Sequence, residues 1–243
     1  MDGREFKDAI FAQFARVAGA FSSPKRVEII DLLAQGERSV ESIAAVTSMT
    51  MGNTSRHLQV LRGAGLVTTR REGAHVVYRV TDPSVVDGYR VIRSLAESHI
   101  GEVRMLAEAF FSPVDGAHPV GMAELAARAE AGEVVIIDVR PRLEFDAGHV
   151  PGALSIPLDE LSERISELQL DATIVAYCRG PYCVLAAQAV SQLRDAGFNA
   201  RRLAAGPPDW RAAGLPLTVG TSASPPQHPL TSHSFSMEEG LMR

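Results

Sequence analysis

The sequence of 243 residues predicts two domains of different class, a mainly α domain followed by an α/β domain with a parallel sheet. Three observations predict it. Residues 5–111 carry apolar residues at helical spacing, interrupted by one hairpin pattern. Residues 119–217 alternate helical patterns with short β-branched runs at 134–139 and 173–177. Between them, Ser112-Pro113-Val114-Asp115-Gly116-Ala117-His118 is rich in turn formers. The boundaries read as a first domain over 1–111, a linker over 112–118 and a second domain over 119–217. The tail, 218–243, holds Ser, Thr, Pro and His with few large apolar residues, which predicts disorder.

Composition narrows the function classes. The 46% hydrophobic and 22% charged fractions are those of a folded globular protein. No run of 18 apolar residues is present, so no membrane span is expected. The start, Met1-Asp2-Gly3-Arg4-Glu5, lacks the apolar segment of a secretion signal, and a cytoplasmic location is expected. Cys178 and Cys183, the two cysteines, read as a reduced thiol pair rather than a disulfide framework. The net charge of −5 argues against a protein that coats nucleic acid, but it hides an asymmetry. Residues 1–112 have a net charge of +1 and the remainder −6, while residues 50–80 hold five Arg against the one acid Glu72. A local basic patch on an acidic chain suits a small DNA-reading surface.

In the first domain, Phe6, Ile10, Phe14, Val17 and Phe21 share one helical face. Ser23-Pro24 supply a cap and a first-turn proline, Val27, Ile30 and Leu33 follow at helical spacing, and Gly36 ends that helix. Ser39 caps a helix running to about Val46, and Thr50 caps the next. On the latter, Leu58 and Leu61 point inward, while Asn53, Thr54, Arg56, His57 and Gln59 point outward with Ser55 among them. Two short helices joined by a tight turn, the second bearing Arg, Asn and Gln, suit the major groove, where Asn and Gln bridge adenine and Arg bridges guanine. Gly65-Leu66-Val67 then opens a strand, Arg70-Arg71-Glu72-Gly73-Ala74 turns, and residues 75–80 return. The cationic tip, Arg70 and Arg71, can follow phosphates.

The run Thr54-Ser55-Arg56-His57-Leu58-Gln59-Val60-Leu61-Arg62-Gly63-Ala64-Gly65-Leu66-Val67, with Ser23-Pro24-Lys25-Arg26 before it and the hairpin to Tyr78 after, resembles the ArsR/SmtB family of winged helix-turn-helix repressors over residues 5–110. The resemblance implies a homodimer that binds palindromic double-stranded operator DNA and leaves it when an inducer arrives. Independently, Val85, Tyr89, Ile92, Ala96, His99, Val103, Leu106 and Phe110 repeat at 4-3 spacing, a seam over 83–111 that can pack on a second copy. Metal sensing, usual in the family, is not expected. The helix after residue 39 has no cysteine, and of the site on the C-terminal helix only His99 and Glu102 survive. No metal and no cofactor are expected.

In the second domain, an apolar strand ends in Asp138-Val139-Arg140, a short helix carries Glu144-Phe145, and Gly148-His149-Val150-Pro151-Gly152-Ala153 follows. A second strand delivers Tyr177-Cys178-Arg179-Gly180-Pro181-Tyr182-Cys183 into a helix from Val184. Strand, tight loop and helix place Cys178 below a helix N-terminus, where loop amides and the helix dipole are expected to lower its pKa and make it a nucleophile. These motifs, with Gly206 to Trp210, resemble rhodanese-like sulfurtransferases over residues 117–217. The resemblance implies an α/β rhodanese-like fold in which Cys178 takes sulfane sulfur from a donor as a persulfide and passes it to a thiol acceptor. Arg179, Gly180, Pro181, Tyr182 and Val184 would cradle the sulfur, with Asp138 and Arg140 buttressing the loop. Cys183 is either a second, resolving thiol or a small packing residue. The sixth residue after Cys178 is Val184 rather than the Arg of a phosphatase loop, which disfavours phosphate or arsenate chemistry.

The combined expectation is a DNA-binding transcriptional regulator, a repressor, whose rhodanese domain takes up sulfane sulfur on Cys178 and senses reactive sulfur. The alternatives are a sulfurtransferase enzyme that merely carries a DNA-binding module, and an interaction protein whose second domain only binds a partner.

Overall fold

Helix α1 (Gly3–Phe21) starts in a reciprocal cap: the Asp2 carboxylate accepts from the Arg4 and Glu5 N–H groups while Glu5 accepts from the Asp2 N–H. The computed structural model describes residues 1–73, 75–115 and 119–220. Pro24 opens α2 (Pro24–Leu33). A two-residue strand β1 (Arg38–Ser39) follows, and Ser39 caps α3 (Val40–Val46) by accepting from the Ser42 N–H. Thr50 caps α4 (Met51–Gly63) in the same way, accepting from Asn53. The hairpin is β2 (Val67–Glu72) and β3 (His75–Val80), and β1 pairs with β3 on its other side, giving the antiparallel order β1-β3-β2. Ile29, Ile30, Leu33, Ile43, Leu58 and Leu61 close the core beneath this helical domain. The sequence did not reveal β1, because two residues are too few to show an alternating pattern.

The expected single seam over 83–111 is two helices. Asp82 caps α5 (Pro83–His99), and Ile100 is extended (φ −113°, ψ 102°) before α6 (Gly101–Asp115). The break separates His99 from Glu102. Val85 and Tyr89 face the domain's own core rather than a second copy. Helix α6 continues into the expected linker and packs on the second domain, where Phe111 is buried and Val114 joins the core. Phe6, Phe11, Phe14 and Val17 of α1 and Leu106 and Phe110 of α6 stay exposed.

The second domain runs α7 (Met122–Glu130), β4 (Val134–Asp138), α8 (Arg142–Ala147), β5 (Leu154–Ser155), α9 (Leu161–Arg164), a 3-10 turn (Ile165–Glu167), β6 (Thr173–Tyr177), α10 (Val184–Asp195), β7 (Asn199–Arg202) and α11 (Pro207–Ala212). Its four strands are parallel in the order β5-β4-β6-β7, and Asp138 stands beside Tyr177 at their C-terminal ends. Apolar cores lie on both faces of the sheet, which explains why β4 and β6 read as unbroken apolar runs. The first residues of the expected tail are tied down: Thr218 and His149 exchange backbone hydrogen bonds, and the Gly220 N–H donates to Asp146. The rest of the expected disorder, 221–243, lies outside the described residues, as do Gly116, Ala117 and His118 of the linker.

A buried polar joint fixes the two domains together. The Glu144 carboxylate on α8 receives Arg38 from β1 and Arg179 from the loop after β6. Glu144 is 1% exposed and Arg38 4%. Gln35 donates to the Arg179 carbonyl at 3.1 Å and accepts from Arg140 Nη1 at 3.0 Å. Gly36 has φ 152°, and a Cβ there would sit 3.1 Å from that of Ala147. On the far side of the loop, Asp209 at the start of α11 receives Arg93 and Arg90 of α5.

Removing one partner of a buried ion cluster leaves the others uncompensated. Glu144→Ala is therefore expected to cost about 3–5 kcal/mol in urea unfolding. Adding Arg38→Met should recover part of it, and the parent chain should unfold in one transition rather than two.

Candidate functional site: a thiol loop beneath the DNA-binding domain

The loop of residues 178–183 leaves the C-terminal end of β6 and enters α10. Asp138, beside Tyr177 in the sheet, and Arg140 lie at the end of the neighbouring strand β4. Arg140 donates to Asp138 through Nε (2.9 Å) and Nη2 (2.6 Å), and its Nη2 also reaches the Gly148 carbonyl at 2.8 Å. Both side chains are fully buried, so the fork fixes the turn after β4 instead of facing a ligand. Arg202 of β7 donates to the Pro181 carbonyl at 2.8 Å. Gly206 lies against the loop backbone: a Cβ there would fall 2.0 Å from the Arg179 oxygen, a position only glycine can fill.

Cys178 is 1% exposed, and its thiol donates to the Cys183 carbonyl at 3.4 Å. Burial pushes this thiol well up, and the neighbouring Cys183 adds to the rise, outweighing the Ala186 and Gly180 amides. Cys183, half-buried, stands at the N-cap of α10. A hydrogen bond from the Cys178 thiol brings it down to about 7 against the effect of burial, with help from the Arg179 and Leu185 amides and the Arg179 charge. The expectation that the loop makes Cys178 the acidic thiol is thus corrected. Amides act on both thiols: at Cys178 desolvation outweighs them, and at Cys183 they add to the lowering.

Arg179 is turned away from the sulfur towards Glu144, donating through Nε at 3.0 Å and Nη2 at 2.7 Å. Gly180, Pro181, Tyr182, Cys183 and Val184 line a cavity of about 640 Å³ whose opposite wall is α2, α3 and α5 of the first domain. The Tyr182 hydroxyl donates to Glu97 of α5 at 2.9 Å. Sequence reasoning assigned no role to Gln35, Arg38, Arg93, Glu144 or Asp209. The partners that tie them into the joint between the domains are more than 30 residues away in the chain, so spacing carries no trace of those contacts; only the Glu144-Phe145 and Gly206–Trp210 motifs marked two of the residues at all.

On α4, Asn53, Arg56 and Gln59 are exposed, and Ser55 and His57 half-buried. Thr54 is a correction: it is fully buried, its hydroxyl donating to the Thr50 carbonyl at 3.0 Å, and it cannot reach a base. At the hairpin, Arg70 is paired with Glu37 at 2.6 Å and Glu72 at 3.1 Å. Arg71 is exposed and has no ion pair among the described residues. Among these residues no group of three or more His, Cys, Asp or Glu is placed to hold a metal, and no helix is long and apolar enough to cross a membrane.

Two outcomes follow from the loop geometry. Gly206→Ala forces the Arg179 backbone to move and should raise the alkylation rate of Cys178 in the folded protein while lowering stability by about 2 kcal/mol or more. In the parent protein, alkylation of Cys183 against pH should show an inflection near 7. Cys178→Ala removes the stabilising donor, so that inflection should move up towards about 8.5, followed by mass spectrometry.

Comparison with known proteins agrees with this architecture. The family model for bacterial regulatory proteins of the arsR family matches residues 23–69, and that for rhodanese-like domains matches residues 122–213. HTH-type transcriptional regulator Rv0324 of Mycobacterium tuberculosis is 46% identical over 215 residues, 88% of this chain and 94% of that protein. A sulfurtransferase of Allochromatium vinosum is 31% identical over 92 residues, 37% of this chain and 84% of its own length. Among solved structures, the homodimeric winged helix-turn-helix domain (fragment 1–100) of Mb0332 from Mycobacterium bovis is 40% identical, covering 41% of this chain and 91% of that one with a TM-score of 0.38. With a helix-turn-helix and hairpin in the first domain, a cysteine loop on a four-stranded parallel sheet in the second, and a relative matched across both, the chain belongs to the ArsR family of transcriptional regulators and carries a C-terminal rhodanese-like domain.

Proposed function

We propose that this regulator is a dimeric repressor whose operator affinity responds to sulfane sulfur carried on Cys178. The observation that carries the reading is Glu144. One buried carboxylate holds Arg179, the residue after the thiol, and Arg38, in the strand that pairs with the DNA-binding hairpin. A change in the loop is thereby tied to the position of the hairpin.

The chemistry balances without an added oxidant. Cys178 thiolate attacks the sulfane sulfur of a persulfide or polysulfide donor; a new S–S bond forms, the donor's S–S bond breaks and the donor thiolate leaves with the electron pair. Cys183, the more acidic thiol, then attacks Cys178 Sγ. A Cys178–Cys183 disulfide forms and hydrosulfide leaves. Both products remove the hydrogen bond that the Cys178 thiol donates to the Cys183 carbonyl in the reduced loop.

DNA binding uses Asn53, Arg56 and Gln59 in the major groove of double-stranded operator DNA, with Ser55 and His57 at its border and Arg71 on phosphate. The relative from Mycobacterium bovis is described as homodimeric, and the exposed apolar residues of α1 and α6 give this chain a face for a second copy.

The test is a set of operator isotherms before and after polysulfide treatment, with masses of the Cys178 and Cys183 peptides. Cys178→Ser should abolish both the sulfur adduct and the shift in affinity. Glu144→Gln should still take sulfur but lose the shift. Sulfur loading with unchanged isotherms would favour instead a sulfurtransferase carrying a DNA-binding module. Arg56→Ala should cost about 1–3 kcal/mol on the operator alone, while Arg71→Ala should weaken all sequences alike and flatten the salt dependence.

A further inference from the structure

The DNA-binding domain forms one wall of the cavity over the thiol loop; Cys183 is among the residues that line this cavity, and the buried Cys178 is not. The cavity over the thiol loop has on one side Leu32 of α2, Val46 at the end of α3, and Tyr89 and Arg93 of α5. On the other it has Val139, Leu158, Cys183, Val184 and Leu185. Three anchors hold the roof against the loop: Gln35 on the Arg179 carbonyl, Glu97 on the Tyr182 hydroxyl, and Arg93 on Asp209. A volume of about 640 Å³ is that of a small-molecule site and is far too small for a protein segment folded around its own thiol.

The character of the walls narrows the occupant further. Most of the lining side chains named above are aliphatic, which suits an organic body. The two guanidiniums that line the chamber are each engaged by carboxylates, Arg179 by Glu144 and Arg93 by Asp209 and Glu97. A small inorganic dianion such as thiosulfate finds no cation there without a carboxylate already on it. The exposed Asp159 is a further acidic group on the walls, whereas Glu28 is paired with Lys25.

We infer that the chamber between the two domains is the binding site for a low-molecular-weight organic thiol, which discharges Cys178 and is chosen by size over protein thiols. The inference rests on the reading of Cys178 as a sulfane-sulfur carrier. In the discharge step, the thiolate of the bound organic thiol attacks the outer sulfur of the Cys178 persulfide. Its new S–S bond forms, the persulfide S–S bond breaks, and Cys178 departs as a thiolate with the electron pair. The winged domain is then a selectivity wall for the chemistry of its neighbour, apart from its role on DNA.

Val46 and Asp159 are exposed rim residues from opposite domains, neither being part of the loop. The test uses the full chain, loaded with inorganic polysulfide and quantified by mass. It compares discharge by glutathione, by cyanide and by a small reduced protein bearing one exposed thiol. Glutathione is expected to outpace the protein thiol by about a hundredfold. Val46→Trp and Asp159→Trp, each narrowing the rim, should slow glutathione about tenfold while leaving cyanide within about twofold, because only the larger acceptor must be seated. A protein thiol as fast as glutathione, or rim variants that slow cyanide as much as glutathione, would overturn the inference.

A second measurement needs no sulfur transfer. S-methylglutathione, which cannot react, should protect Cys183 from iodoacetamide in the parent chain and not in Val46→Trp. Absence of protection in the parent would sink the chamber as an organic-thiol site. If polysulfide leaves neither a persulfide nor a Cys178–Cys183 disulfide, the carrier reading fails on its own, and the protection result still decides whether the chamber takes such a ligand.

Discussion

A carboxylate with two guanidiniums on it, sealed from water, constrains this molecule more than any other contact. Glu144 and Arg38 are buried as partners, and the half-buried Arg179 completes the set. Such clusters add little net stability, since the desolvation of the charges consumes most of the attraction. What they supply is geometry. An aliphatic joint would tolerate many relative placements of the two domains, whereas a buried cluster of opposite charges tolerates few. Asp209 with Arg90 and Arg93 repeats the device on the other flank of the thiol loop. The loop is thus clasped from both sides by the first domain, and the chamber above it owes its shape to these contacts.

The same burial explains the division of labour between the two cysteines. Cys178 is sealed at the end of a central strand, where a thiolate is poorly solvated. Cys183 stands at the helix start, and its carbonyl accepts from the Cys178 thiol. A reaction at Cys178 therefore calls for a path by which its proton can leave the sealed strand end.

The sequence made each domain legible and concealed the relation between them. Capping residues Ser39 and Thr50, the apolar pattern through Leu58 and Leu61, and the runs ending at Asp138 and Tyr177 act over a few residues, so local reading reaches them. Arg38 and Glu144 are 106 positions apart, and nothing local distinguishes a buried arginine from a solvated one. The misreadings share that cause. Thr54 looks like a polar groove residue because its hydroxyl is polar, yet it is buried and donates back to the Thr50 carbonyl one turn earlier. Val85 and Tyr89 show a dimer-like spacing because the seam of an own-core helix has the same period. Ile100 breaks that helix although its side chain gives no sign of a stop, whereas the Gly101 that follows does.

The two-residue strand β1 has a consequence for how this chain can change over generations. Arg38 is at once an edge of the sheet that carries the hairpin and a charge partner of the neighbouring domain. A gene fusion joined only by a linker lets each half vary alone. Here a change at position 38 that keeps the sheet intact but loses the cation leaves Arg179 as the sole guanidinium on Glu144, and a change at 144 exposes a mismatch at 38. The two halves are therefore bound to a shared history: among descendants of this fusion, positions 38, 144 and 179 should change together or not at all, and a shuffled gene that takes its halves from distant relatives inherits an unmatched joint.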